Sequence, residues 1–230
     1  MVIGSRIKAS GDSGIPINPD APYALASVAE RQRRTALLAE PHMKPLMDYL
    51  GQIRQAMGDA YEMPAFDPLD GGINARALLL LEAPGPKAVG SGFISRNNPD
   101  PTARNICRLL AEANIPRQHT LIWNIVPWYV GDGQERIRSV NGRDIRDALP
   151  HLGTLIGMLP ELKVILLLGK KAGSTASPIR QLTSVPLLLT HHPSARVFSV
   201  WPEKWTEAKS DFARLATMLG TVNDLETASQ

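Results

Sequence analysis

The chain has 230 residues, of which 43% are hydrophobic and 20% are charged, and these values are ordinary for a globular protein. This length suits one α/β domain with a substantial core. The 25 Lys and Arg residues outnumber the 22 Asp and Glu residues only slightly, so the charge permits a polyanionic partner without identifying one. The single cysteine, Cys107, excludes an intramolecular disulfide and an all-cysteine zinc or iron–sulfur site within the chain.

Apolar runs in the chain are too short for a membrane span, which needs ~18 residues. The first residues also lack the apolar core of a signal peptide. We therefore expect a cytoplasmic protein that has no membrane partner.

The first 74 residues contain two predicted helices. Residues 1–22 are rich in Gly, Ser, Pro and Asp and are interpreted as an N-terminal arm. Apolar residues at helical spacing predict helices over 23–40 and 43–57, and residues 64–74 are interpreted as a loop. Arg31, Arg33 and Arg34 in the first helix could contact phosphate, but we interpret them as a solvated helix face.

The first predicted strand is the run of four leucines at 78–81, which stops in the loop Glu-Ala-Pro-Gly. Residues 87–101 are interpreted as a long irregular segment, which in a compact domain is usually functional or mobile. Thr102 is expected to cap the helix that follows. A second strand is predicted within residues 120–128, and residues 129–142 are interpreted as a loop.

The remainder of the chain continues the alternation of helices and strands. A helix is predicted over 143–159, where Pro150 could kink it, then strands within 164–173 and 185–196 and a last helix over 203–219. The pattern predicts a three-layer α/β/α domain over residues 23–220 with a four-stranded, mainly parallel sheet and a frayed tail at 221–230. Because the carboxyl ends of parallel strands meet at one edge, where such sheets bind ligands, several polar residues should converge there: Glu82, Asn124, Lys170, His191 and His192.

Taken in chain order, the loops at this edge resemble the uracil-DNA glycosylase superfamily. Glu82-Ala83-Pro84-Gly85 is similar to its first motif, and His192-Pro193-Ser194 is similar to its second catalytic motif. Phe93 resembles the aromatic residue on which a flipped uracil stacks, and Asn124 resembles the asparagine that reads the base. The resemblance covers roughly residues 78–219. It implies hydrolysis of the bond between uracil and deoxyribose in DNA, leaving an abasic site.

The residue types suit that reaction. A base inside a duplex must be flipped out before an enzyme can reach it. The Asn124 amide can accept a hydrogen bond from uracil N3–H and donate one to O4, whereas cytosine presents the opposite pattern. A His192 N–H donated to O2 would stabilise the departing uracil anion. Ala83, Pro84 and Gly85 are expected to contact the base, and the reaction needs no metal or cofactor.

Two positions depart from the best-known branch of the family. Ala83 stands where that branch has the aspartate that positions the attacking water, and Gly85 stands where it has a tyrosine that blocks the thymine methyl group. The Glu-Ala-Pro-Gly form is similar to the iron–sulfur branch, which needs four cysteines. The chain therefore resembles a divergent member without a cluster. The residue that positions the water stays open between Glu82, Asp100 and Asn98, and the small Gly85 suggests tolerance of 5-substituted uracils.

The resemblance also implies contacts with DNA outside the base pocket. Gly169-Lys170 lies where the family has a glycine and a phosphate-contacting residue. After Ser194, Arg196 could contact phosphate while Val197 or Phe198 enters the duplex as an apolar wedge. The expected partner is uracil-containing DNA, single- or double-stranded, so a bacterial protein would be associated with the nucleoid. The protein is expected to be a monomer.

Three alternatives remain open from the sequence. The same scaffold could act on another deaminated or 5-substituted base. It could instead be a silent relative that binds nucleic acid without hydrolysis, for which Ala83 is the best indication. More remotely, a small-molecule α/β enzyme could share the fold. A lyase reaction through Lys170 or Lys87 is not expected.

Overall fold

The fold is taken from a computed structural model, which describes residues 18–58, 61–131 and 138–221. Most of the predicted N-terminal arm and residues 222–230 of the predicted tail lie outside the described residues, as does the middle of the predicted loop at 129–142. Residues 18–22 of the arm are described, and Asp20 there pairs with Arg117 at 2.5 Å. Thr221, the first residue of the predicted tail, is buried and donates a hydrogen bond to the Ala216 carbonyl.

A four-stranded parallel sheet forms the centre of the molecule. Its strands, in the order in which they pair across the sheet, are β4 (Thr120–Asn124), β2 (Ala77–Leu81), β5 (Val164–Leu168) and β6 (Leu187–Thr190). The two central strands, β2 and β5, are almost continuously apolar because both of their faces are buried. This sheet and its flanking helices confirm the predicted α/β class.

Helices cover the sheet and connect its strands. They are α1 (Val28–Leu37), α2 (Lys44–Met57), α3 (Pro86–Ser91), α4 (Pro101–Glu112), α5 (Gly142–Gly157), α6 (Lys170–Gly173), α7 (Ala176–Leu182), α8 (Ala195–Val200) and α9 (Glu203–Leu219). The last of these, α9, packs on β5 and β6 and also contacts α4 and α8. Helix α5 runs through Pro150 without a break.

Two predicted loops contain regular structure. Strand β1 (Ala65–Phe66) lies in the segment 64–74 and pairs in parallel with β3 (Phe93–Ile94), which lies with α3 in the segment 87–101. Two-residue strands carry no periodicity that a sequence pattern could reveal. Asp100, rather than the predicted Thr102, caps α4, because Pro101 occupies the first helical position and the Asp100 carboxylate accepts from the Ala103 N–H at 2.9 Å.

The interpretation of the arginine cluster as a solvated face is wrong for Arg34. Its side chain is fully buried and pairs with Glu30 and with Asp67. Arg33, one residue earlier, is 45% exposed and pairs only with Glu30 among the described residues. A local sequence pattern cannot distinguish these two arginines, because Asp67, which pairs with the buried Arg34, lies 33 residues away along the chain.

Candidate active site

A cavity of about 510 Å³ opens where β2 and β4 end, and its volume is typical of small-molecule sites (~300–1,000 Å³). Seven of the residues predicted to act on the base line this one cavity: Glu82, Ala83, Pro84, Gly85, Asp100, Asn124 and His192. They come from three strand ends and from the start of α4. Parallel pairing brings Glu82, Asn124 and His192 together, whereas Lys170 and His191, which the strand pattern also placed at this edge, do not line the cavity.

Asn124 is the last residue of β4 and presents an amide to this cavity. The residue is 3% exposed, and its Nδ2 is buried without a hydrogen-bond partner among the described residues. Burying a donor without a hydrogen-bond acceptor costs ~1–3 kcal/mol. Because side chains alternate along a strand, Ile122 also faces the cavity, whereas Trp123 points away and stacks on Phe66 with ring centroids 3.8 Å apart.

His192 reaches the cavity from the loop after β6. Burial lowers the pKa of its imidazole below the ordinary 6.5, and the nearby carboxylates of Glu82 and Asp100 oppose that shift only in part. The ring is therefore neutral at neutral pH and carries one N–H donor. Its neighbour His191 does not line the cavity. The His191 Nε2 instead lies 2.5 Å from the Glu207 Oε2.

Two contacts that the sequence analysis missed hold His192 in place. Asn105 of α4 is buried and donates from Nδ2 to the Pro193 carbonyl at 2.9 Å. Gly169 has a φ of +94°, and a Cβ built there would lie 2.8 Å from the His192 Cβ. A signal existed for Asn105, because it lies four residues before Leu109 on the apolar face of the helix. The sequence carries no comparable signal for the closeness of Gly169 to His192.

Glu82 and Asp100 place two carboxylates on the cavity wall. Glu82 Oε1 accepts from the Val140 N–H at 3.0 Å, so this side chain also holds the loop before α5. Asp100 caps α4 with one oxygen and is half-buried. Burial raises the pKa of Asp100 above its ordinary 3.8, against the lowering influence of the Ala103 and Thr102 amides, His192 and Lys87.

Asn98, the third predicted candidate for positioning water, is committed to the loop. Its Oδ1 accepts from Ser91 Oγ at 2.6 Å, and its Nδ2 donates to the Phe93 carbonyl at 2.8 Å. Both ends of the amide therefore already have protein partners. Asn98 lines the cavity but serves to fold the loop around it.

The wall formed by Ala83, Pro84 and Gly85 leaves free space beside Gly85. A Cβ built at Gly85 would meet no atom within 4 Å, and its φ of −88° is accessible to any residue. The backbone therefore does not require glycine at this position. A larger residue there would occupy cavity space.

Phe93 does not reach the cavity lining, contrary to the role predicted for it. The residue is 3% exposed, and its neighbour Ile94 faces the cavity instead. Adjacent residues of a strand point to opposite sides, so β3 can present only one of the two. The apolar lining comes from aliphatic side chains, among them Ile94, Ile106 and Ile122.

The residues predicted to contact DNA lie outside the cavity lining. Lys170 is exposed at the start of α6, and Ser194 Oγ caps α8 by accepting from the Val197 N–H at 3.3 Å. Arg196 and Val197 lie in the first turn of α8, exposed and half-buried respectively. Phe198 is half-buried like Val197, and its ring packs edge-to-face on Trp205 with centroids 5.0 Å apart.

Further cavity residues lie in the two predicted irregular segments, 87–101 and 129–142, but were not named as site residues by the sequence analysis. Ser95 lies on the loop after β3, and Arg138 and Ser139 lie just before α5. The Arg138 guanidinium pairs with both carboxylate oxygens of Asp144, at 2.6 and 2.8 Å. In the described part of the chain no group of His, Cys, Asp and Glu side chains is arranged to hold a metal ion, and no helix is both long and apolar enough to cross a membrane.

The fold and cavity define an α/β protein with a site built from a Glu-Ala-Pro-Gly loop, a strand-end asparagine and a His-Pro-Ser loop. The family model of the Uracil DNA glycosylase superfamily matches residues 68–213, more than half of the chain. The chain belongs to this superfamily.

Two solved structures are similar to this chain at low identity. A candidate uracil DNA glycosylase from Methanosarcina acetivorans is 17% identical with a TM-score of 0.44, over 62% of this chain and 91% of that chain. The wild-type UNG from Nitratifractor salsuginis is 16% identical with a TM-score of 0.44, over 84% of this chain and 98% of that one. No curated protein matches the sequence.

Proposed function

We propose that this protein hydrolyses the N-glycosidic bond of uracil in DNA and leaves an abasic site. The observation that carries the proposal is that one cavity contains both Asn124, whose Nδ2 is buried without a hydrogen-bond partner among the described residues, and a neutral His192. The first can read a pyrimidine edge, and the second can donate to the oxygen on which charge develops.

Asn124 supplies base selection in this proposal. Its Nδ2 donates to uracil O4, and its Oδ1 accepts from N3–H. Cytosine would oppose donor to donor at the exocyclic amine, and an unpaired polar group in a buried pocket is costly. The base reaches Asn124 only when it is unstacked, either in a single strand or by flipping.

In the bond-breaking step, the C1′–N1 bond breaks and its electron pair leaves with the base. Negative charge spreads to O2 of the uracil, where the His192 N–H donates, and positive charge develops on the sugar. A neutral imidazole suits this role, because it can donate without transferring its proton. Losing one such donor typically costs ~10²–10³ in rate.

We assign the positioning of water to Asp100. One of its oxygens caps α4, it lies near His192, and it lines the cavity. Water attacks C1′, and its proton passes to the carboxylate as the new C–O bond forms. Glu82 is the second candidate, since only its Oε1 has a recorded partner among the described residues.

The test is release of uracil from single-stranded and duplex oligonucleotides, with abasic sites revealed by heating in alkali. We expect Asn124→Ala and His192→Ala each to reduce single-turnover cleavage at least ~10²-fold, while the control His191→Ala retains activity. Unchanged cleavage by His192→Ala would contradict the mechanism. A wild-type protein that binds uracil DNA but releases no base would be the silent binder.

A second candidate function is removal of 5-substituted uracils, and the open space beside Gly85 favours it. We expect Gly85→Leu to suppress release of a 5-substituted uracil more than release of uracil itself. Gly90→Leu is the matched control, because Gly90 also has open space around its Cβ position but does not line the cavity. If Gly85→Leu released the two bases in the same ratio as wild type, a role for this space would be excluded.

The proposed reaction is hydrolysis without strand cleavage by the enzyme. Lys87 lines the cavity and Lys170 does not, so Lys87 is the amine to test for a Schiff base. Borohydride trapping with uracil DNA should give no covalent adduct. An adduct that disappears in Lys87→Gln would convert the proposal to a lyase.

A further inference from the structure

A buried polar cluster lies next to the candidate active site. Two arginines, Arg34 of α1 and Arg117 before β4, share the same partners, the carboxylate Oδ2 of Asp67 and the side-chain Oδ1 of Asn97. Arg117 Nε also pairs with Asp70 at 2.9 Å. All five residues are at most 7% exposed, so the cluster is formed inside the protein and not on its surface.

Asn97 connects this cluster to the N-terminal residues. Its Nδ2 donates to the carbonyls of Asp20 and Ala21 at 3.1 and 2.9 Å, and its own carbonyl accepts from the Leu25 N–H at 3.1 Å. Arg34 Nη2 adds a bond to the Pro19 carbonyl at 2.6 Å. Every polar group of Asn97 is used, because its N–H donates to Ser95 Oγ at 2.9 Å.

The loop held in this way is the one that lines the cavity. Ser95 accepts from Arg34 Nη1 at 3.1 Å and donates to Asp67, and it lines the cavity itself. Asn98 follows Asn97 directly, and its carbonyl accepts from the Asp100 N–H at 2.8 Å. The chain of contacts therefore runs from the N-terminal residues through Asn97 to Asp100.

We infer that residues 18–37 act as a clamp that positions the active-site loop 95–100, with Arg34 and Asn97 as its positioning residues. Residues 18–37 lie outside the part of the chain that the superfamily model matches, residues 68–213, whereas Asn97, the loop residue that they hold, lies within it. The inference rests on the proposed function for its kinetic consequence. Its structural consequence, an ordered loop, does not depend on the reaction.

The matched pair of variants is Arg34→Met and Arg33→Met. Both arginines pair with Glu30, at 2.8 Å, and only Arg34 contacts the loop through Asn97 and Ser95. Asn97→Ala is the second clamp variant, because it removes the link without removing a buried charge. Each is measured well below its own melting transition, so that a loss of folding is not read as a loss of positioning.

The first readout is amide hydrogen exchange over residues 93–100 in the protein without DNA. We expect faster exchange in Arg34→Met and Asn97→Ala and wild-type exchange in Arg33→Met. Equal exchange in all the variants would overturn the clamp. Because no substrate is present, this result stands even if the wild type releases no uracil, an outcome that would remove only the proposed function.

The second readout is single-turnover uracil release in a double-mutant cycle with Asp100→Asn. A displacement of ~1 Å can cost about 10²-fold in rate, so Arg34→Met should approach that loss while Arg33→Met stays near wild type. In the Asp100→Asn background, Arg34→Met should cause little further loss, because the group that it positions is already gone. If the rate losses of Arg34→Met and Asp100→Asn multiplied in the double variant, the inference that the clamp acts through Asp100 would be overturned.

Discussion

At the scale of single residues, the cavity depends on which side of each strand a residue faces. Asn124 and Ile122 share the cavity side of β4, and Trp123 packs on the other side. The same alternation places Ile94 on the cavity and removes Phe93 from it. If a base stacks in this cavity, it does so on aliphatic side chains.

Gly169 sets the position of His192, and this gives a first prediction. Gly169→Ala forces a side chain into a backbone with φ of +94° and against His192. We expect a drop in the single-turnover rate of at least ~10-fold, because His192 must move away from the base.

Gly173→Ala, at the end of the short helix α6 that Gly169 precedes, is the control for that experiment. Its Cβ would lie 3.3 Å from Leu189 Cδ2, the flexible end of a side chain, and its φ is not positive. Equal losses in the two variants would show that the helix, and not the contact with His192, matters.

Asp100 gives a prediction on pH. As the group proposed to accept a proton from water, Asp100 would act only when ionised, so we expect activity above its pKa and a loss of activity as the pH falls through that pKa. Burial raises that pKa, although His192 and Lys87 oppose the shift, and the acid limb should therefore lie above the ordinary 3.8.

The check is the pH dependence of single-turnover uracil release by wild type and Asp100→Asn. Asparagine caps helices as well as aspartate does, so the variant should keep its stability. We expect it to be slow and to lack the acid limb. A variant with unchanged rate and pH profile would move the water-positioning role to Glu82.

At the scale of elements, short helices place the residues that we propose to contact DNA. Ser194 caps α8 and fixes the direction in which the chain leaves His192. With Phe198 packed on Trp205, the candidate wedge is Val197. The phosphate contacts proposed for Arg196 and Lys170 start from exposed positions at the ends of two different strands.

A wedge is needed only when a base must leave a stacked duplex, and this gives the prediction for α8. We expect Val197→Ala to slow uracil release from duplex DNA several-fold while leaving release from a single strand near wild type. Ser199→Ala, an exposed change in the same helix, is the control. Equal losses on both substrates would remove Val197 as the wedge.

At the scale of the whole molecule, the parallel sheet carries the stability on which the cavity depends. Leu167 of β5 and Leu189 of β6 are register partners, yet the first is fully buried and the second is 50% exposed. Strands β2, β4 and β5 are buried in the core, and β6 is a half-exposed edge.

This pair gives a prediction on folding stability. Leu167→Ala should lower the free energy of unfolding by ~2–5 kcal/mol through lost burial and a cavity. Leu189→Ala should stay within about 1 kcal/mol of wild type, since half of its side chain is already in water. Urea unfolding followed by tryptophan fluorescence measures both free energies. Similar losses of stability in the two variants would mean that another surface covers the edge strand β6.

The sequence by itself determined the four central strands and the polar residues at their ends. Runs of consecutive apolar residues are local signals, and parallel pairing then requires Glu82, Asn124 and His192 to meet. The superfamily followed from those same loops. Each of these strand and loop signals is carried by residues that are near neighbours along the chain.

Only the tertiary structure decided the contacts between segments that are distant along the chain. Arg34, Asp67 and Asn97 form one buried cluster although 33 and 63 residues separate the arginine from its two partners. The approach of Gly169 to His192 and the burial of Phe93 have the same origin. Their energies arise from packing and desolvation that exist only after the chain has folded, so no local pattern records them.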